Sequence, residues 1–280
     1  MKVFSSIDEM RRWRNQLSRE ETIGFVPTMG YLHRGHLSLF ERATKDNDLL
    51  VISIFVNPVQ FNDEDDYRLY PRDEQRDLHL ADEAGVDVVF CPIEEDLYPK
   101  NYSTYVEVEE LTEGLCGGAR PGHFRGVTTI VAKLFNIVRP HHAYFGQKDY
   151  QQLKVIQRMV RDLHMDVRVI GCPTVREEDG LALSSRNKHL TSEERRAALV
   201  LPAALRHGVE LIENGTCNTQ QIKKAVRDII DSESAVRLDY LELRDAEDLS
   251  DVSCISGDVV LAAAVCVADT RLIDNRVVQV

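Results

Sequence analysis

Through its first 170 residues the chain alternates short apolar runs with stretches of helical periodicity, and this alternation restricts its fold more than any other feature. Residues 23–26, 49–56, 86–90, 143–145 and 167–170 are the apolar runs and read as strands. Between them, residues 126–138 set Val127, Ile130, Val131, Leu134 and Val138 on one helical face. Residues 150–163 do the same with Leu153, Ile156, Val160 and Leu163. Strands separated by helices form a parallel sheet covered on both faces rather than hairpins. Ligands of such sheets lie beyond the carboxyl ends of the strands. The segments that directly follow the apolar runs therefore carry the functional reading.

Past Pro173 the pattern changes. Thr191-Ser192-Glu193-Glu194 has the capping hydroxyl and early acids of a helix start and opens a helical stretch to about Ile212. A second helix runs from Thr219 to about Asp231, after the turn Asn214-Gly215-Thr216, and strand-like runs follow at 236–243 and 259–267. The expected class is α/β, a parallel-sheet domain over residues 1–174 with a smaller C-terminal α+β domain over 175–280.

The formal net charge of −12 argues against general binding to nucleic acid or an anionic membrane, since both call for a basic face. A local cationic pocket for a small anion remains compatible with it. The six cysteines are scattered, with no Cys-x-x-Cys spacing for zinc or redox chemistry, and read as reduced thiols. Met1-Lys2-Val3 leads into polar sequence without the apolar core of a signal peptide, and the run 259–268 is too short to span a bilayer. The expected location is the cytoplasm.

After the first apolar run comes Pro27-Thr28-Met29-Gly30-Tyr31-Leu32-His33-Arg34-Gly35-His36, followed by an amphipathic segment. Strand, glycine turn and helix in that order place two imidazoles at a helix N-terminus, where free N–H groups and the helix dipole attract phosphate. His-x-x-His also occurs at metal sites, but a helical metal pair wants i, i+4 spacing and a further ligand. A phosphate cradle fits better, and no metal-ligating set is expected.

Four further clusters follow. Phe145-Gly146-Gln147-Lys148-Asp149 repeats the strand–glycine–helix arrangement: Lys148 suits a phosphate and Asp149 an N-cap, with turn plus solvated lysine as the plain alternative. Leu183-Ser184-Ser185-Arg186-Asn187 offers two hydroxyls and a guanidinium to phosphate, or else is an exposed loop like the charged stretch 176–180 before it. Asn57 and Gln60, after the second run, with Gln152 on the 150–163 helix, suit hydroxyls or a carboxylate, and equally read as surface amides. Arg120-Pro121-Gly122-His123-Phe124-Arg125-Gly126 either joins an anionic pocket or starts a helix with Phe124 as its anchor.

Taken together and in this order, with Tyr70-Pro71-Arg72 and residues 269–275, these segments resemble the pantoate–β-alanine ligases of the nucleotidyltransferase superfamily. The resemblance implies a Rossmann-like domain with a smaller domain closing over it, a homodimer, and no tightly bound organic cofactor. It implies that pantoate attacks the α-phosphorus of ATP, with Mg2+ on the nucleotide. Pantoyl-adenylate and pyrophosphate form, and β-alanine then displaces AMP. ATP would lie on Met29, Gly30, Tyr31, Leu32, His33, Arg34, Gly35 and His36, on Gly146, Gln147, Lys148 and Asp149, and on Val175, Leu183, Ser184, Ser185 and Arg186. Gln60, Gln152 and Asn57 would handle the substrates, and Lys148, His33 and His36 the chemistry. Family members usually give position 36 a proton-donor role; in-line phosphoryl transfer asks more for charge stabilisation, which makes both imidazoles hydrogen-bond donors. Arg34 and Gln147 depart from the residues common in the family. The rival readings are a nucleotidyltransferase acting on a phosphate acceptor and a nucleotide sensor without turnover.

Overall fold

The apolar runs pair as expected in the computed structural model, which describes residues 1–280. One sheet contains β1 (Lys2–Phe4), β2 (Ile23–Thr28), β3 (Leu49–Ile54), β4 (Val88–Phe90), β5 (His142–Gly146) and β6 (Arg168–Cys172). Its order is β1-β4-β3-β2-β5-β6, and every pairing is parallel. β2 and β3 are apolar almost without interruption because helices bury both of their faces. The strand order reverses between β2 and β5, since the chain moves from β2 outward through β3 and β4 and returns to the far side of β2. The crevice at their carboxyl ends is the ligand position of an open parallel sheet.

The second sheet is an antiparallel meander of β7 (Val236–Asp245), β8 (Val259–Val267) and β9 (Thr270–Val278). β8 is buried on both sides. Val260 and Ala262 join the core of the parallel-sheet layer, while Val259, Leu261, Ala263, Val265 and Val267 face a second core with the helices Val200–Glu213 and Thr219–Asp231. The two sheets thus share a packed contact.

Three differences from the sequence reading have local causes. The expected helix to Ile212 is two helices, Ser192–Ala198 and Val200–Glu213. Pro202 has no N–H for the Ala198 carbonyl, so the first helix stops there. The helix expected from 126 starts at His123, behind Gly122 in the left-handed region at φ 81°. β1 and β9 carry too little uninterrupted apolar sequence to be seen: β1 is a largely exposed edge strand, and β9 is interrupted by Arg271, Asp274 and Arg276.

Candidate active site

A cavity of about 1000 Å³ opens at the β2/β5 crevice, and residues of both sheets line it. From the 27–36 segment it receives Met29, His33, Gly35 and His36. Gly30, Tyr31, Leu32 and Arg34 do not line it, nor does Gln147. Leu32 is fully buried in the core and Arg34 is exposed. The backbone N–H groups of Tyr31 and Leu32 are already taken. They donate to the Asp77 carboxylate at 2.6 and 2.7 Å, and Arg76 donates to the Leu32 carbonyl at 2.9 Å. Gly30, at φ 80°, passes so near that a Cβ would lie 2.8 Å from Asp77 Oδ2. Asp77, on the helix Glu74–Glu83, is the anchor of this loop.

His33 caps the helix Arg34–Asp46. Its Nδ1 accepts from the N–H of Gly35 at 3.1 Å, and His36 Nδ1 accepts from the N–H of His33 at 3.3 Å. Two imidazoles complete a capping box, a task more often given to a hydroxyl and a carboxylate. Because a backbone N–H only donates, each Nδ1 is unprotonated and each ring keeps its hydrogen on Nε2. Burial first and the Lys148 ammonium next push His33 down to about 4. Burial, with His33 and Lys148, pushes His36 down to about 3. At neutral pH the pair is two uncharged N–H donors rather than an acid.

The same shifts predict acid sensitivity. An unfolded imidazole titrates near 6.5, so between that value and about 4 the unfolded chain binds protons that the folded one refuses. Stability rises with pH across this window, and acidification removes it. From pH 7 to pH 5 the urea midpoint should fall, with His36 alone contributing about 2 kcal/mol.

Across the crevice, residues 147–149 form a 3-10 turn that runs straight into the helix Tyr150–Asp162. Asp149 does not cap that helix, contrary to expectation; its side chain makes no capping bond and lies 3.8 Å from Lys148 Nζ. The turn is fixed instead from β9, where buried Asn275 donates to the carbonyls of Gln147 and Lys148 at 3.0 and 2.8 Å.

The segment 176–187 is not a free loop. Arg176 makes a bidentate pair with buried Asp274 at 2.7 and 2.8 Å, and Arg195 bonds both Glu177 and Asp179. Asn187 donates to Glu177 at 2.6 Å and to the Ala182 carbonyl at 3.0 Å. This scaffold presents Leu183, Ser184, Ser185 and Arg186 to the cavity, together with Val175, Gly146, Lys148 and Asp149. No group of three His, Cys, Asp or Glu side chains is placed to hold a metal ion.

Among the amides, Asn57 is spent on the protein. Its Nδ2 donates to Gln60 Oε1 and to the Gly126 carbonyl, both at 3.1 Å, and its Oδ1 accepts from the Tyr98 hydroxyl at 2.8 Å. Asn57, which lines the cavity, thus positions Gln60 through its own amide. The Gly126 carbonyl can only accept, which fixes the Asn57 amide and turns Gln60 Oε1 toward it. Gln60 consequently presents its Nε2 donor to Met29 Sδ, 2.9 Å away, and to the cavity. Gln152 lines the same cavity on the helix Tyr150–Asp162. Both readings of 120–126 hold, for Phe124 is buried in the core while Arg120 and His123 line the cavity.

Gly126 is what allows this approach. A Cβ there would sit 2.6 Å from the Val59 carbonyl oxygen and 2.7 Å from Gln60 Cα, both backbone atoms that cannot swing aside. Gly126→Ala should displace the 58–60 turn, destabilise the fold by about 1–3 kcal/mol and raise the KM for the acid substrate. A chemical-denaturation curve and a substrate titration check both parts.

Asp77, Tyr98 and Asn275 were missed as site-building residues, and His123 was named only within the 120–126 segment. Each acts through a contact at least 41 positions away in sequence. A signal was available for His123 and Asn275, which fall in segments that carry the family resemblance.

The chain matches the family described as Pantoate-beta-alanine ligase over residues 2–277. It is 53% identical over 277 residues to the pantothenate synthetase of Pseudothermotoga lettingae, covering 99% of each chain. It is 57% identical over 259 residues to that of Moorella thermoacetica, covering 92% of each. The pantothenate synthetase structure from Thermus thermophilus superposes with a TM-score of 0.93 at 48% identity, covering 99% of both chains. The pantoate–β-alanine ligase from Francisella tularensis, complexed with β-γ ATP and β-alanine, gives 0.80 at 36% identity, covering 99% of this chain and 97% of that one. The chain belongs to the pantoate–β-alanine ligase family.

Proposed function

We propose that the protein condenses (R)-pantoate with β-alanine at the expense of ATP, through pantoyl-adenylate, giving pantothenate, AMP and pyrophosphate. The observation that carries this reading is the pairing of two neutral Nε2–H donors, His33 and His36, with Lys148 across the β2/β5 crevice. Uncharged amides stand in the same cavity. Displacement at the α-phosphorus builds negative charge on the phosphate oxygens. Fixed N–H donors and an ammonium in a partly buried cleft stabilise that charge without reorganising.

In this reading Lys148, Ser184, Ser185 and Arg186 hold the β- and γ-phosphates, and Val175 lines the adenine side. Gln60 and Gln152 orient pantoate, with the Gln60 N–H donor suited to a carboxylate or hydroxyl oxygen. Magnesium would come with the triphosphate and would neutralise part of its charge. Asp149, the carboxylate beside Lys148, is the residue that would help hold the ion. Residues 175–280 act as a second domain that closes on 1–174, and the enzyme works as a cytoplasmic homodimer. No helix is long and apolar enough to cross a membrane.

Incubation with ATP and pantoate, with and without β-alanine, tests the reading. AMP release should depend on β-alanine in multiple turnovers. A dinucleotide formed with a phosphate acceptor, in place of the amide, would replace this reading with the nucleotidyltransferase one.

A further inference from the structure

His123 is the third imidazole of the cavity, and its hydrogen bonding is the reverse of the other two. Its Nδ1 lies 2.7 Å from the backbone carbonyl oxygen of Gln60. A carbonyl only accepts, so Nδ1 carries the hydrogen and Nε2 keeps its lone pair. Nε2 has no partner in the protein, although the residue is only 9% exposed and its ring forms part of the cavity wall. A lone pair left free in the cavity wall suits a place that a donor from substrate fills. The bond ties the ring to the backbone of Gln60, whose amide is assigned to the acid substrate, and both residues line the cavity.

We propose, resting on the condensation set out above, that Nε2 of His123 accepts the proton of the β-alanine ammonium and so frees the amine for attack. The nitrogen lone pair then forms the C–N bond to the pantoyl carbon. The C–O bond to AMP breaks with its electron pair on the phosphate oxygen, and the second nitrogen proton leaves with that oxygen. The imidazolium returns its proton to water after the products depart. The cavity therefore holds two donor imidazoles for the phosphate and one acceptor imidazole for the amine, the tautomer of each set by a backbone partner. Burial, together with Arg120 and Arg186, holds the His123 imidazolium down at about 4, against the opposing pull of the Gln60 carbonyl and Asp149. The same surroundings disfavour an ammonium at that place, so both partners in the transfer are shifted the same way.

His123→Asn tests the proposal, because its amide keeps a donor toward the Gln60 carbonyl and lacks the second nitrogen. Pantoate-dependent exchange of pyrophosphate into ATP should stay within about threefold of the unmodified enzyme, while single-turnover transfer to β-alanine slows by about 10²-fold or more. Transfer to hydroxylamine, which is largely uncharged at neutral pH, should change little. Equal losses with β-alanine and hydroxylamine would overturn the proposal, as would a loss of pyrophosphate exchange as large as the loss of transfer. A measurement on the unmodified enzyme needs no folded variant. The 15N shifts of His123 should report hydrogen on Nδ1, and hydrogen on Nε2 would overturn the assignment. Absence of pyrophosphate exchange in the unmodified enzyme would count against the condensation itself rather than against His123.

Discussion

Lys148→Ala should slow pantoyl-adenylate formation by about 10³-fold, with no comparable loss of stability. The ammonium lies in the cavity wall, its only ionic neighbour is Asp149 at 3.8 Å, and the turn that carries it is held by backbone carbonyls bonded to Asn275. Removing the side chain therefore takes away charge at the phosphate and leaves the scaffold whole. His36→Ala should lose a similar factor in the same half-reaction, and with it about 1 kcal/mol of stability, because His36 Nδ1 also accepts the His33 N–H at the helix start. Pyrophosphate exchange gives the rate and a thermal scan gives the stability. Rates within a few-fold of the unmodified enzyme for both variants would remove these residues from the chemistry.

Asp77→Ala should show the opposite balance, a large loss of stability that brings the loss of activity with it. The carboxylate is 1% exposed and accepts both N–H groups of the 31–32 turn. Its removal leaves two backbone donors without partners in a buried place, and the neighbouring Arg76 without its carboxylate, 3.4 Å away. The expected cost is about 3–5 kcal/mol, read from denaturant unfolding. Asp77→Asn should do nearly as badly, because an amide offers one acceptor where the turn needs two. The loop is left-handed at Gly30 and Tyr31, with φ of 80° and 52°, and this carboxylate holds it there together with Arg76 on the Leu32 carbonyl and Thr28 on the Gly30 N–H.

The two predictions separate what the sequence made visible from what it concealed. The strands of the parallel sheet were legible because strands buried on both faces need uninterrupted apolar sequence. The crevice was legible because a glycine turn follows β2 and another follows β5. The imidazoles were found by their place at a helix start, but their part there differs from first appearance. They close the helix themselves instead of leaving its N–H groups to phosphate, and this closure fixes their tautomers. Asp77 and Tyr98 were invisible, and the part played by His123 within its segment was hidden, for a common reason. Each matters through one long-range hydrogen bond, and nothing local in a run such as residues 73–83 distinguishes the acid that turns inward from those that face water. Asn57 shows the converse, a location legible in the sequence with bonding partners that were not, since its amide faces Gln60, Gly126 and Tyr98.

The fate of oxygen tests the central claim, that pantoate attacks the α-phosphorus of ATP at this site. With 18O in the carboxylate of pantoate, a complete turnover with ATP and β-alanine should place one labelled oxygen in AMP and none in pyrophosphate. AMP without label, or label found in pyrophosphate or inorganic phosphate, would contradict it.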